Sequence, residues 1–258
     1  FDKISGDLTD ADITDNGSNY IKTSILISPN SQYVVYSLRG SYQDPNPLYI
    51  VDLTQSEFEP IELSSNRFIE TYGSYRYRFT PDSQSVLYVG AEVQGEKTRL
   101  YAVDVAGNNS RTLGESTLSG GHIRGIGVAN NSQHVFYMAD FVDEETNGLY
   151  VVEIDGSNNQ FVSKPELMDI RGREVFLPVG ESAMVYQTKN STEKGLTIYD
   201  ADSGQSEALA TFGLAQGPRI DQGHMPNYTT TDTGVFLVGD FREAGTFELF
   251  DFQLPAAD

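Results

Sequence analysis

The hydrophobic and polar positions of the chain repeat in units of about 50 residues. A stretch of small polar residues followed by alternating β-branched and aromatic residues occurs five times: SPNSQYVVY (28–36), TPDSQSVLY (80–88), ANNSQHVFY (129–137), PVGESAMVY (178–186) and TTDTGVFLV (230–238). These stretches start 52, 49, 49 and 52 residues apart. The apolar half of each stretch predicts a β-strand. The Pro-Asn-Ser or Pro-Asp-Ser before it in the first two stretches predicts a tight turn in which the Asn or Asp side chain bonds its own backbone. The third stretch has Asn-Asn-Ser at this place, and the fourth and fifth have other residues.

A second apolar motif follows each stretch: LYIVD (48–52), LYAVD (100–104), LYVVE (149–153), LTIYD (196–200) and FELFD (247–251). With an inner strand before the first stretch and a weaker strand after the second motif, as in 60–63 and 111–113, each repeat contains four predicted strands. No segment has the apolar period of a helix. The pattern predicts an all-β protein.

Four short strands in a repeat of this length are typical of a β-propeller blade. We therefore predict a five-bladed β-propeller of four-stranded antiparallel blades, forming a single domain over 1–258. The predicted blades cover about 20–64, 72–114, 121–163, 170–210 and 222–253. The fifth blade lacks a fourth strand, and residues 1–5 resemble 58–62. We expect this N-terminal strand to pair into the last blade and cover its edge. A fragment of a six- or seven-bladed ring is the alternative, and a start at Phe1 predicts further sequence upstream.

The repeat S/T-P-D/N-S-Q-x-V-x-Y followed by L-Y-x-V-D resembles the TolB-type (WD-like) propeller repeat of bacteria over residues 20–251. Such repeats occur in periplasmic and secreted proteins, in envelope scaffolds that bind other proteins, and in the propeller domains of some peptidases and lyases. The resemblance implies the fold, a periplasmic or secreted bacterial location, and a binding role. The family's peptidases carry their chemistry on a separate domain.

Composition narrows the range of partners. The chain has 258 residues, 17 Lys and Arg against 37 Asp and Glu, and a formal charge of −20. This charge repels phosphate backbones and anionic membranes, so we expect no nucleic-acid partner and no membrane insertion. There is no Cys, which excludes disulfides and cysteine chemistry. No apolar run reaches the length that spans a bilayer.

Basic residues recur near the predicted starts of the inner strands, where a propeller would bring them together at one mouth of its channel. We predict an anion-binding mouth lined by Lys22, Tyr75, Arg76, His122, Arg124, Arg171, Arg173 and His224. Arginine offers a planar fork that suits carboxylate or phosphate, so the ligand would be an acidic sugar, a carboxylate metabolite or an acidic segment of a partner. The competing interpretation is that Glu70, Asp169, Glu174 and Asp221 neutralise these arginines in structural ion pairs.

A catalytic site at the same mouth is the alternative. A glycosidase needs two carboxylates about 5 to 9.5 Å apart, and Glu174 is the carboxylate nearest to an inner-strand start. The chain also has no Trp to stack against a sugar. A polysaccharide lyase or glycosidase would have to use Glu174 and His224. No G-x-S-x-G motif is present.

Metal chemistry has little support in the sequence. His122 and His224 belong to different predicted blades, and two histidines do not complete a first shell of three protein ligands. The acidic run 7–17 does not fit the EF-hand template and predicts a solvated connector. The sequence therefore predicts a non-catalytic, monomeric binding or scaffolding propeller. We predict no cofactor, and a protein partner or anionic ligand at the basic mouth.

Overall fold

The computed structural model describes residues 25–37, 47–64, 67–69, 77–93, 95–115, 121–140, 147–163, 176–189, 193–213, 228–230, 234–239 and 248–253. Within these ranges the regular secondary structure consists of twenty β-strands, with no helix. Accordingly, they contain no helix of the length and apolarity needed to cross a bilayer. The predicted N-terminal strand at residues 1–5 lies outside them.

The chain divides into two compact units, the first made of residues up to 123 together with 155–157. This unit contains two antiparallel sheets. Sheet 1 has the order β1 (Leu26–Ile27), β2 (Tyr33–Ser37), β3 (Leu48–Asp52) and β4 (Ile61–Glu62). Sheet 2 consists of β5 (Phe68–Ile69), β6 (Tyr77–Phe79), β7 (Ser85–Ala91), β8 (Arg99–Asp104) and β9 (Arg111–Glu115). Both β5 and β6 pair with β7, so sheet 2 contains one short strand more than the repeat predicts.

The second unit comprises residues 124–154 and those from 158 onward, and sheet 3 begins at the boundary between the units. Sheet 3 has the order β10 (Ile123–Val128), β11 (His134–Asp140), β12 (Asn147–Glu153) and β13 (Gln160–Ser163). Sheet 4 has the order β14 (Phe176–Val179), β15 (Ala183–Lys189), β16 (Glu193–Asp200) and β17 (Gln205–Gly213). Sheet 5 has three described strands, β18 (Tyr228–Thr230), β19 (Gly234–Gly239) and β20 (Glu248–Gln253). The predicted all-β architecture of sequential antiparallel sheets is confirmed.

The repeated turn owes its sequence to two backbone requirements. Its Ser residue has a positive φ of 60° or 61° in sheets 1 to 3, at Ser31, Ser83 and Ser132. The Asn or Asp before it accepts a hydrogen bond from the backbone N–H two residues further on, as Asp82 does from Gln84 at 3.0 Å. The predicted side-chain bond of the turn to its own backbone is therefore confirmed. Asn30 N–H also donates to Ser83 Oγ at 3.1 Å, which links the turns of sheets 1 and 2.

In both units, neighbouring sheets pack face to face through the same positions of the repeat. In the first unit, Val35 and Ile50 of sheet 1 share a buried cluster with Val86, Tyr88 and Val103 of sheet 2. The equivalent positions form the buried cluster of the second unit, where Phe136 and Val151 of sheet 3 pack with Met184, Tyr186 and Tyr199 of sheet 4. In each unit, therefore, one apolar face of a sheet packs against the next sheet, and alternation along the strands places the remaining side chains on the opposite face.

The repeated tyrosines stack in pairs across β2–β3 and its equivalents. Ring centroids are 5.7 Å apart for Tyr36–Tyr49, 5.1 Å for Tyr88–Tyr101 and 5.0 Å for Tyr137–Tyr150. These residues are direct cross-strand partners in their sheets. Such aromatic pairs stabilise antiparallel strands, which accounts for a Tyr in both motifs of the repeat.

Two glycines allow an outer turn to approach the preceding sheet. Gly107 has φ +79°, and a Cβ there would lie 2.8 Å from Ile61 Cγ2 of β4. Gly156 has φ +92°, and a Cβ there would lie 3.3 Å from the Thr112 carbonyl of β9. The left-handed backbone and the close approach both require glycine.

The later repeats differ from the first three in register. In sheet 4 the β14–β15 turn is shorter, with Val179 opposite Ala183, and Gly180-Glu181 stands where the first three repeats have Asn or Asp followed by Ser. In sheet 5 Phe236 pairs with Asp251, whereas the equivalent residue in sheet 1, Val34, pairs with Val51. The gapless alignment of the fifth repeat is therefore one residue out of register across this strand pair.

Candidate functional site

Each sheet has a leading end, at which its first strand begins and its second strand ends, and a turn end on the opposite side. The mouth residues were predicted to lie at the leading end. The structure describes His122 and Arg124, which lie at the beginning of β10. The other predicted residues lie outside the described ranges: Lys22, Tyr75, Arg76, Arg171, Arg173 and His224, together with Glu174. Their grouping stays a prediction.

Arg124 forms a fixed ion pair with Asp140 at the leading end of sheet 3. Its Nε donates to Asp140 Oδ1 at 2.8 Å and its Nη2 donates to Oδ2 at 3.1 Å. The Asp140 side chain has no exposed surface, whereas 29% of the Arg124 side chain is exposed. Asp140 was not predicted as its partner, because Asp140 belongs to the next strand and is 16 residues away in the sequence. Arg124 is thus neutralised in part, by a different carboxylate from those we expected.

The leading end of sheet 2 carries a chain of alternating charges, which we call the charge chain: Arg67, Glu92, Arg99, Glu115 and Lys97. Glu92 Oε1 lies 3.1 Å from Arg67 Nε and 3.8 Å from Arg99 Nη1. Glu115 accepts from Arg99 Nε at 2.9 Å and lies 2.9 Å from Lys97 Nζ. The charge chain holds three cations and two carboxylates, so it is locally cationic in a protein of charge −20.

The stacked pair Tyr88 and Tyr101 forms hydrogen bonds with members of the charge chain. Tyr101 Oη donates to Glu92 Oε1 at 2.8 Å, and Arg67 Nη1 donates to Tyr88 Oη at 2.9 Å. The Arg67 guanidinium carbon lies 4.2 Å from the centre of the Tyr101 ring, in cation–π geometry. Burial raises the pKa of both tyrosines, which therefore stay protonated at neutral pH.

The carboxylates of the charge chain have lowered pKa values. For Glu115 the hydrogen bond from Lys97 is the main cause and the bond from Arg99 the next. For Glu92 the hydrogen bond from Tyr101 comes first and that from Arg67 second. Both groups are therefore held ionised, which suits ion pairing rather than proton transfer near pH 7.

Sequence reasoning missed the charge chain because its members stand at the ends of four different strands. Arg67 and Glu92 are 25 residues apart, and only the pairing of β5 with β7 brings them together. The available signal was charge placement: Glu92 follows β7, Arg99 begins β8 and Glu115 ends β9. In an antiparallel sheet these three positions share one end.

The acidic residue that ends the third strand of sheets 1 to 4 serves the turn end instead. Asp52 accepts from Thr54 N–H at 2.8 Å and Asp200 accepts from Asp202 N–H at 2.8 Å. Asp104 accepts from Asn109 Nδ2 at 2.6 Å, and Glu153 accepts from Asn158 Nδ2. These four carboxylates close turns. In the part of the chain that the structure describes, no group of three or more metal-ligating side chains is present.

The sequence matches no known family profile and no curated protein. The fold is similar to solved propeller structures. The β-propeller domain of the Trilobed protease from Pyrococcus furiosus, described as having an open velcro topology, is 12% identical with a TM-score of 0.57, over 93% of this chain and 72% of that one. Dipeptidyl peptidase 4 from Porphyromonas gingivalis is 10% identical with a TM-score of 0.63, over 88% of this chain and 37% of that one.

TolB from Acinetobacter baumannii is 15% identical with a TM-score of 0.48, over 90% of this chain and 55% of that one. The chain thus spans little more than a third of the dipeptidyl peptidase and about half of this TolB. Identities this low show the fold alone. The β-propeller fold predicted from the repeats is confirmed by the first two structures, and TolB is among the propellers that the chain resembles.

Proposed function

We propose that the chain is a non-catalytic binding or scaffolding propeller that takes an anionic ligand, or an anionic segment of a protein partner, at the leading ends of its sheets. The observation that carries this proposal is Arg124, a partly exposed guanidinium at the start of a first strand in a strongly acidic protein. The recurrence of basic residues at the other predicted strand starts, Lys22, Arg76, Arg171 and Arg173, supports a shared site with His122, His224 and Tyr75.

The role of the described carboxylates favours binding over catalysis. Those that end the third strands close turns, and those of the charge chain are held ionised by their cations. A general acid at neutral pH needs the opposite environment, one that raises its pKa. The charge chain is a partly exposed polar surface, which suits recognition.

We also propose that the repeats make a monomeric five-bladed propeller in which residues 1–5 supply the outer strand of the last blade. The likeness of residues 1–5 to residues 58–62, which include β4 of sheet 1, supports this arrangement. Deleting residues 1–5 would then lower the thermal midpoint and leave an exposed edge that promotes association. An unchanged midpoint would favour an open arrangement like the one described for the Pyrococcus furiosus propeller. The resemblance to TolB-type repeats leads us to propose a periplasmic or secreted protein.

The binding proposal is tested by charge reversal at two mouth positions. The double variant Arg124→Glu, Arg173→Glu is titrated calorimetrically with polygalacturonate, poly-glutamate and inorganic phosphate, beside the wild-type protein, under conditions in which circular dichroism shows both proteins to be folded. Arg111→Glu is the control for a cation at the turn end of a sheet, since Arg111 begins β9 and its Nη1 lies 3.3 Å from Asp104 Oδ1. We expect the double variant to lose at least about tenfold in affinity for the ligand that binds wild type, and the control to lose little. Equal affinities for every probe would refute the proposed mouth.

The polygalacturonate probe also separates binding from catalysis. A lyase would release unsaturated ends from polygalacturonate, and substituting Glu174→Gln or His224→Ala would abolish that release. Such a result would replace the binding proposal with the enzymatic one.

A further inference from the structure

Arg124 has two hydrogen-bonding edges, and the residues that the structure describes engage only one of them. The side edge, made by Nε and Nη2, is occupied by Asp140. The end edge consists of Nη1 and the second N–H of Nη2, and no hydrogen bond to Nη1 is found within the described ranges. A guanidinium can bind one carboxylate on each edge, because its five N–H groups lie in one plane.

We propose that the end edge of Arg124 is the ligand-contacting group of the binding surface, that it takes a carboxylate, and that Asp140 is the residue that positions it. This inference rests on the proposed binding function and names its ligand class. The contact would be two parallel N–H···O bonds, from Nη1 and Nη2 to the two oxygens of one carboxylate.

The positioning role follows from burial. Asp140 ends β11 with its side chain fully enclosed, so its two oxygens are fixed with respect to sheet 3. Two bonds of 2.8 and 3.1 Å to fixed oxygens set both the place and the plane of the guanidinium. An arginine held in this way loses little conformational entropy when a ligand binds.

The choice of a carboxylate follows from charge. The Arg124–Asp140 pair has no net charge, so its end edge attracts an anion by hydrogen-bond geometry rather than by excess positive charge. A phosphate carries more than one negative charge near pH 7, and the field of a −20 protein opposes it more strongly than a monoanion. A single carboxylate therefore fits this edge better than a phosphate.

The test uses galacturonate as the carboxylate probe, with galactose and inorganic phosphate as controls. Because Asp140 holds the Arg124 Nε–H, this group is expected to give a resolved nitrogen–proton NMR signal, assigned by its loss in Arg124→Lys. Galacturonate should shift this signal in the wild-type protein, galactose should not, and phosphate should do so only at concentrations about tenfold higher. No shift with galacturonate, or an equal shift with phosphate at the same concentration, would overturn the proposal. Because this titration uses the wild-type protein, its result does not depend on the stability of a variant.

Two variants then separate position from charge. Asp140→Asn keeps the shape of the side chain but raises the local charge by one, so attraction by charge alone predicts tighter galacturonate binding. The positioning role predicts binding about three- to tenfold weaker, because the guanidinium is no longer fixed on both oxygens. Arg124→Lys should weaken binding about tenfold, since an ammonium has no fork. Galacturonate binding that is unaffected by both variants but lost on Arg173→Glu would refute this inference and leave the proposed function standing.

Discussion

Removing the cation of the Arg124–Asp140 pair should destabilise the protein far more than removing the whole pair. In Arg124→Met the apolar stem is largely kept, but Asp140 loses two hydrogen bonds of 2.8 and 3.1 Å while its side chain stays fully enclosed. Breaking a buried ion pair by removing one of its members costs about 3 to 5 kcal/mol. Replacing both members by apolar residues of similar size, Arg124→Met with Asp140→Leu, should cost about 1 kcal/mol or less.

The assay is a double-mutant cycle in urea, followed by far-ultraviolet circular dichroism because the chain has no Trp. The free energies of unfolding of wild type, both single variants and the double variant give the interaction energy of the pair. We expect the double variant to be more stable than Arg124→Met. A cost below about 1 kcal/mol for Arg124→Met, or a double variant as unstable as that single variant, would refute the reasoning that Asp140 depends on this cation.

Three other substitutions test features of the repeat and of the charge chain. Ser31→Gly should raise the free energy of unfolding by up to about 1 kcal/mol, because Ser31 is exposed and its φ of 61° favours glycine. A lower free energy of unfolding in chemical denaturation would contradict this explanation. Gly127→Ala should cost about 1 to 3 kcal/mol, since its Cβ would lie 2.8 Å from Phe176 Cβ; an unchanged thermal midpoint would contradict it. The lowered pKa of Glu115 adds stability above its unfolded value of about 4.5 that is lost as pH falls through the folded value. Glu115→Gln should therefore lose less stability than wild type between pH 6 and pH 3, and parallel pH profiles would exclude this contribution.

The sequence predicts the sheets well because local rules determine them. Alternation of apolar residues identifies the second and third strands, and the Pro-Asp-Ser turn of sheet 2 adopts the expected side-chain bond between Asp82 and the backbone of Gln84. The additional strand β5 was not predicted. It has only two residues and is defined by its pairing with the end of β7, which no local pattern encodes.

The register of sheet 5 shows a second limit of pattern reasoning. The motif letters at 230–238 align with the other repeats, but Phe236 pairs with Asp251. A slip of one residue exchanges the two faces of a strand, and a strand that is apolar on both sides tolerates either register. The sequence of this strand, GVFLVG, therefore leaves its pairing open.

The candidate site was predicted only in part, because its partners are distant in the sequence. The position of Arg124 near the start of the first strand of its repeat was predicted correctly, since that strand precedes a recognisable turn. Its partner Asp140 and the charge chain arise from cross-strand proximity at the leading end. In contrast, the acidic residue at the end of each third strand is the polar residue that recurs most regularly in the repeats. In sheets 1 and 4 it accepts a hydrogen bond from a backbone N–H and closes a turn.

The shared packing rule of the two clusters has a consequence for how such a protein can grow. Val35 and Ile50 meet Val86 and Tyr88 in one cluster, and Phe136 and Val151 meet Met184 and Tyr186 in the other, at matching repeat positions. Each repeat thus carries the apolar side chains that pack against a neighbouring repeat of the same kind. A duplication of about 50 residues therefore needs no new complementary surface. Related proteins can add or lose whole repeats while the packing between neighbouring sheets stays the same.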